Sequence, residues 1–211
     1  MQDLDGALRI YALASEYVHS SGFHEEVEWQ RRTELNEITE QALLRESAWV
    51  ILCSGFREST VSRLFDHISL CFCDWEAAAA IVDTYPACYF AARTVFGHVA
   101  KLTAIVSVAK YIHETGFDSV KASIMSDPIC TLRQLPFIGP VTVWHLAKNI
   151  GCNVAKPDRH MVRVSQSLGF DSHSDFCDAI SECSGEPVKV VDLIVWRYLA
   201  DNAAYVVAGD G

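Results

Sequence analysis

The stretch Leu135-Pro136-Phe137-Ile138-Gly139-Pro140-Val141-Thr142 decides how the middle of this chain folds. A short helix is predicted to begin at Asp127, which is followed by proline, and to end about two turns later at Leu135-Pro136. Gly139 permits a sharp reversal, and Pro140 starts the next helix, where its missing N–H is not needed. The stretch therefore predicts a helix, a tight turn and a helix. The backbone N–H groups of residues 137–142 are then left unpaired at a helix start, where they can bind a phosphate.

A second stretch, Lys156-Pro157-Asp158-Arg159-His160, presents a single carboxylate at the start of another helix. Free N–H donors and the positive end of the helix dipole both favour the ionised form of Asp158 there. An ionised carboxylate in this position can stabilise a positive charge that develops during a reaction, and it can orient an attacking water. The plain alternative is that Asp158 is only an N-cap, worth about 1 kcal/mol.

The rest of the chain shows the apolar periodicity of helices, so the predicted fold class is all-α. The stretch 187–203 is rich in β-branched residues, but its proline start and its length favour a helix over a strand. Asp74 is expected to cap an alanine-rich helix that ends before Pro86. The other predicted helices are 5–19, 40–53, about 58–70, 86–96, 98–115, 118–125, 158–168 and 174–184.

Composition narrows the class of protein. No apolar run approaches the roughly 18 residues of a membrane helix, and no secretory or lipidation signal is apparent, so we expect a cytoplasmic protein without a membrane partner. The eight cysteines lie mostly in apolar stretches and are interpreted as reduced, buried thiols. No His, Cys, Asp and Glu cluster has the spacing of a metal site, and no nucleotide-binding loop is present, so no metal and no cofactor are predicted.

The charge distribution fits a narrow contact with a few phosphate groups. The chain has 17 basic and 27 acidic residues, a net charge of −10, which argues against indiscriminate affinity for phosphates. Between residues 130 and 165, however, Asp158 is the single acidic residue. The basic residues of that segment are Arg133, Lys148, Lys156, Arg159 and Arg163. A stripe of this kind fits a protein that grips few phosphates; the alternative is a solvated charge pattern unrelated to DNA.

The two stretches together resemble the helix-hairpin-helix (HhH-GPD) superfamily of DNA base-excision glycosylases. Leu135-Pro136-x-Ile138-Gly139 matches the hairpin of that family, and Asp158-x-His160-x-x-Arg163-Val164 matches the segment with its catalytic acid. A weaker resemblance runs from about residue 42 to residue 164. It implies a two-lobed helical fold with DNA bound in a cleft between the lobes. A central lobe would span 40–151, and 1–39 plus 152–211 would form the second lobe, which carries the aspartate.

The resemblance implies a monofunctional DNA glycosylase that leaves an abasic site. Family members that also cut the strand have a lysine in the helix after the hairpin glycine, whereas this chain has Val141 there. Water is then the nucleophile, because valine cannot form a Schiff base. The implied partner is double-stranded DNA with a flipped modified base, bound by a monomer. Some relatives hold an iron–sulfur cluster on four cysteines near the C-terminus, but this chain has two cysteines there.

The resemblance also assigns roles to individual residues. Asp158 is the implied catalytic residue. The residues expected to contact DNA are Phe137, Ile138, Gly139, Val141, Thr142, Arg159 and Lys101. Those expected to act as the wedge or to line the base pocket are Phe56, Arg57, Trp49, Trp144 and His145. Phe137 departs from the family pattern, which usually has glycine at that position.

Several readings stay open at the level of sequence. The excised base is an alkylated purine, a mispaired adenine or a hypermodified base of bacteriophage DNA, the last of which would make the protein a defence factor. A rival of another class is a non-enzymatic hairpin module that only binds DNA. A further rival uses the same scaffold and acid on free nucleotides or modified-base precursors, without binding a duplex.

Overall fold

Helices are the regular secondary structure of residues 2–202, the part of the chain that the computed structural model describes, and this confirms the all-α prediction. Two short 3₁₀ turns, Leu35–Glu37 and Cys73–Trp75, lie between α-helices. The α-helices are α1 (Leu4–Ser20), α2 (His24–Arg32), α3 (Glu40–Cys53), α4 (Glu58–Cys71), α5 (Ala78–Thr84), α6 (Ala87–Val95), α7 (Val99–Thr115), α8 (Phe117–Ser126), α9 (Pro128–Leu132), α10 (Thr142–Asn149), α11 (Arg159–Ser167), α12 (His173–Ser184) and α13 (Val188–Asp201).

The chain divides into two compact units. The terminal unit comprises the described residues up to Thr33 and those from Gly151 onward. The central unit comprises Glu34–Ile150. The sequence predicts boundaries at 39/40 and 151/152, whereas the structure has them at 33/34 and 150/151, so the second moves by one residue. The first differs because Ile38 is buried and its carbonyl accepts a hydrogen bond of 3.1 Å from Nζ of Lys121, within the central unit.

The terminal unit is built around α13, which packs against α1, α2, α11 and α12. Its β-branched face is buried, including Val190, Val191 and Val195, so burial overrides the weak helix propensity of valine. The core is completed by Phe170 and Phe176, whose rings meet edge to face at 5.5 Å. This packing places the start of α11, and with it Asp158, on the terminal unit.

The central unit is organised by α3 and α7, which pack against each other. Helix α10, the second helix of the hairpin, packs on α3 and α9. Glu46 of α3 accepts a hydrogen bond of 2.9 Å from the side-chain amide of Asn149 on α10. The hairpin is therefore held by a buried polar contact as well as by apolar packing.

Two local predictions differ from the structure. Helix α2 was not anticipated, because its charged sequence buries only Val27 and Gln30 and so shows little apolar periodicity. Asp74 does not cap α5: it lies in the 3₁₀ turn with a φ of 48°, and α5 begins later, at Ala78. The N–H of Ala78 instead donates a hydrogen bond of 2.7 Å to Oε1 of Glu40, a residue distant in sequence.

Within residues 2–202, none of the helices combines the length and apolar character needed to cross a bilayer.

Candidate functional site

The hairpin turn reverses at Phe137, not at the glycine that the sequence indicated. Phe137 has a φ of 64°, whereas Gly139 lies outside the left-handed region. The N–H of Ile138 donates to the carbonyl of Leu135 at 3.1 Å and closes a four-residue turn. Proline in second place and a left-handed residue in third place are typical of a type II turn, which normally has glycine in third place.

The unpaired N–H groups of the hairpin are fewer than predicted. Ile138 uses its N–H within the turn, and the N–H of Gly139 donates a hydrogen bond of 2.7 Å to Oγ1 of Thr142. Within the described chain, the N–H groups of Phe137, Val141 and Thr142 have no acceptor. The last two lie at the N-terminal end of α10, where the helix dipole is positive, so this end of the hairpin can still receive an anion.

Asp158 is the N-cap of α11, as the sequence predicts. Its Oδ1 accepts a hydrogen bond of 2.9 Å from the N–H of His160, and its own backbone is extended. The side chain is partly exposed, and no residue in the described part of the chain forms an ion pair with it. A carboxylate in this position keeps acceptor capacity for a water molecule or a positive charge.

The loop before Asp158 is held by side chains that the sequence analysis missed. Oδ1 of Asp192, a buried carboxylate on α13, accepts a hydrogen bond of 3.0 Å from the N–H of Lys156. Oδ1 of Asn153 accepts one of 3.1 Å from the N–H of Lys189, in the first turn of the same helix. A lone acid inside the apolar run of α13 is the sequence signal that points to Asp192, because buried carboxylates need a partner.

Three loops of the central unit bring aromatic side chains together around one ammonium group. The ring of His98 lies 5.9 Å from that of Phe56 and 6.4 Å from that of Phe137. Nζ of Lys101 lies 5.5 Å from each phenylalanine centroid. Phe56 and Phe137 are 40% and 45% exposed. We call Phe56, His98 and Phe137 the aromatic cluster; it joins the predicted wedge to the predicted strand-binding hairpin.

Lys101 is not available for a phosphate, which corrects its predicted role. The side chain is 2% exposed, and its ammonium donates to the carbonyls of Ile51 and Ser54, the latter at 2.6 Å. It therefore satisfies the C-terminal carbonyls of α3. Burial lowers the pKa of the amine from its ordinary value.

The other predicted contacts divide into exposed and packed side chains. Val141 and Arg159 are exposed, and Arg57 is exposed at the start of α4. The side chain of Ile138 is buried, which corrects its assignment as a DNA contact: it anchors the turn from inside. Oγ1 of Thr142 accepts from the glycine N–H of the turn and so shapes the hairpin.

The predicted pocket residues belong partly to the core of the central unit. Trp49 is half-buried and meets Phe65 edge to face at 5.0 Å. Trp144 and His145 are also half-buried, on α10. Trp49 therefore has a packing contact within the unit, and all three side chains remain partly accessible.

No group of three His, Cys, Asp or Glu side chains within residues 2–202 is arranged to hold a metal ion.

No protein-family model, curated protein or solved structure matches this chain.

Proposed function

We propose that this protein is a monofunctional DNA glycosylase of the helix-hairpin-helix type. The observation that carries the proposal is the state of Asp158: a partly exposed carboxylate at the N-terminus of α11 without an ion-pair partner in the described chain. The ordered spacing of the hairpin and this aspartate supports the same conclusion. The product is an abasic site in an intact strand.

Asp158 acts on the sugar from which the base departs. As the glycosidic bond breaks, positive charge develops on the deoxyribose ring, and a nearby carboxylate stabilises it. One oxygen of Asp158 is held by the N–H of His160, so the carboxylate is already oriented before substrate binds. Its remaining acceptor positions can hold the attacking water and take up its proton.

Water is the proposed nucleophile because suitable amines are missing or occupied. Val141 stands where the lyases of the family have lysine. Lys148, further along the same helix, is buried and has an interaction partner. Nζ of Lys156 lies 5.6 Å from the ring centroid of Trp196. Borohydride treatment should therefore trap no covalent protein–DNA adduct.

Strand binding is assigned to the central unit. The free N–H groups of Val141 and Thr142 and the positive end of α10 suit one phosphate. Exposed Arg57 can contact a second phosphate. This limited set of donors fits an acidic protein that must hold a strand without binding every duplex it meets.

The test is an excision assay on a panel of DNAs, including alkylated, mispaired and phage-modified bases. Strand breaks that appear only after alkali would show base release without strand cleavage. Asp158→Asn should slow single-turnover excision about 100- to 1,000-fold, because it removes the charge. Asparagine caps helices as well as aspartate does, so the unfolding temperature should stay close to that of the wild type.

Asp3→Asn is the matched control. Asp3 is also an N-cap aspartate of the terminal unit, and Oδ1 of its side chain accepts from the N–H of Gly6 at 2.9 Å. This variant should excise at the wild-type rate. If Asp158→Asn matched it in rate, or if the wild type released no base from any DNA in the panel, the enzymatic proposal would fail. Retained DNA binding would then favour the non-enzymatic module.

A further inference from the structure

The central unit exposes aromatic side chains on three loops that are distant in sequence but adjacent in space. Phe56 follows α3, His98 precedes α7, and Phe137 lies in the hairpin turn. Val99 and Val141, which are neighbours of these loops in sequence, are exposed as well. Exposed apolar side chains grouped in this way mark a binding surface more often than isolated ones do.

The backbone of Phe137 argues that its exposed ring has a function. A phenylalanine with a φ of 64° is strained, and glycine would adopt the same turn without that strain. Packing does not explain the residue, since almost half of the side chain is exposed. Strained residues of this kind are concentrated at ligand-binding sites.

The electrostatics of the cluster favour a ligand that is both aromatic and anionic. The ammonium of Lys101 lies close to both phenylalanine rings and is shielded from water. Arg57, which follows Phe56 in sequence, is exposed. The free N–H groups of Val141 and Thr142 come directly after the hairpin turn. Stacking surfaces beside positive charge are the combination that binds single strands of nucleic acid.

We propose that the aromatic cluster stacks on unpaired nucleobases of DNA, so that the protein prefers sites where pairing is already broken. The proposal rests on the proposed function for its ligand class, DNA. In an intact duplex the faces of each base are covered by its neighbours, whereas an unpaired base offers a face to an aromatic ring. The protein then binds preferentially at mispaired or bulged sites. Base extrusion at such sites requires less unstacking than in an intact duplex.

The test compares two short duplexes that differ in one nucleotide. In one, 2-aminopurine is paired with thymine; in the other, it is bulged without a partner. The full chain with Asp158→Asn is titrated with each, so that excision does not interfere, and affinity is read from the anisotropy of a distant fluorophore. The bulged duplex should bind about tenfold more tightly or better, and 2-aminopurine fluorescence should drop on binding, as stacking requires.

Phe137→Gly, made in the same background, is the decisive variant. The left-handed backbone suits glycine, so this variant should fold, and thermal unfolding checks that it does. It should lose about tenfold in affinity for the bulged duplex and little for the paired one. Phe90→Ala is the matched control, because Phe90 is 60% exposed on α6 and is not in the cluster. It should leave both affinities unchanged.

The outcomes separate this inference from the proposed function. Equal binding of both duplexes, or a preference that survives in Phe137→Gly, overturns the inference even if the wild type excises bases. A preference lost in Phe137→Gly supports it even if no excision is found. Absence of binding to either duplex also overturns it, and the cluster would then be a surface for another class of partner.

Discussion

At the scale of single residues, side-chain identity and backbone conformation disagree at Phe137. A left-handed φ favours glycine, yet a large aromatic residue stands there. At Lys101, identity and environment disagree: a lysine is buried, and its ammonium donates hydrogen bonds to carbonyl groups rather than to a carboxylate. Phe137 belongs to the aromatic cluster and Lys101 lies against its ring, so the two departures from ordinary sequence rules meet at one place.

The strain at Phe137 can be measured with two small replacements. Phe137→Gly and Phe137→Ala both remove the ring, but only alanine keeps a Cβ in a left-handed backbone. The glycine variant should therefore be more stable than the alanine variant by about 1 kcal/mol. Urea unfolding monitored by circular dichroism measures the difference. Equal stabilities would show that residue 137 is not left-handed in solution.

Glu46 should make the free energy of unfolding depend on pH. The residue is 5% exposed, and burial raises the pKa of the carboxyl above its ordinary value of 4.5, although Arg45 and Asn149 oppose the shift. A raised folded-state pKa means that the native protein holds this proton more tightly than the unfolded chain does. The contribution of Glu46 to the free energy of unfolding should thus be fully present below 4.5 and fall as the pH rises through the raised pKa.

Glu46→Gln isolates that contribution. The difference in unfolding free energy between wild type and variant should shift in favour of the variant as the pH rises from 4.5, because glutamine does not ionise. Urea titrations at several pH values measure it, with Glu37→Gln as an exposed control. A difference independent of pH would contradict the raised pKa.

At the scale of elements, helix ends are completed by distant parts of the chain. The carbonyls that end α3 are bound by Lys101 of α7, and the N–H that begins α5 is bound by Glu40 of α3. The loop before α11 is fixed by Asp192 of α13. Such contacts hold short loops in one geometry, which a site built on loops requires.

Asp192 should therefore act as a positioning residue for Asp158. Asp192→Ala removes the acceptor for the N–H of Lys156 and should slow excision about 10- to 100-fold, because a small displacement of the carboxylate misplaces the water. Asp192→Asn retains an acceptor oxygen and should recover most of the rate. Single-turnover kinetics and DNA affinity are measured for both variants.

A purely structural role for Asp192 would give a different result. Both variants would then lose stability and excision activity together. Asp192→Asn would recover neither the stability nor the excision rate. In either case, DNA affinity should stay near the wild-type value in the folded fraction of each variant, because Arg57, Val141 and Thr142 lie in the central unit.

At the scale of the whole molecule, charge limits the DNA binding that we propose. The net charge is −10, and burial removes Lys101 and Lys148 from the basic surface. The basic residues of the predicted contact segments that remain exposed are Arg57, Arg133, Arg159 and Arg163. Binding should then rely on few phosphate contacts and on stacking.

The salt dependence of binding tests this expectation. A plot of log affinity against log salt concentration should have a slope between about −2 and −4, because each phosphate contact contributes about −0.9. Arg57→Gln should reduce the magnitude of that slope by about 1. Anisotropy titrations at several salt concentrations supply the data. A slope of about −6 or steeper would mean a much larger phosphate footprint.

Local signals in the sequence predicted most helices and the placement of Asp158. The helix over 40–53 and the N-caps at Asp127 and Asp158 are confirmed, because caps and periodicity depend on residues three or four positions apart. These interactions are complete within one turn of chain, so a linear pattern contains all the information they need.

Tertiary structure decided which side chains point inward and which loops meet. The burial of Lys101, the start of α5 and the contact of Glu46 with Asn149 join residues tens of positions apart. The aromatic cluster likewise draws on three separate loops. No linear spacing encodes such contacts, because they exist only after α3, α7 and α10 have packed and desolvated the groups between them.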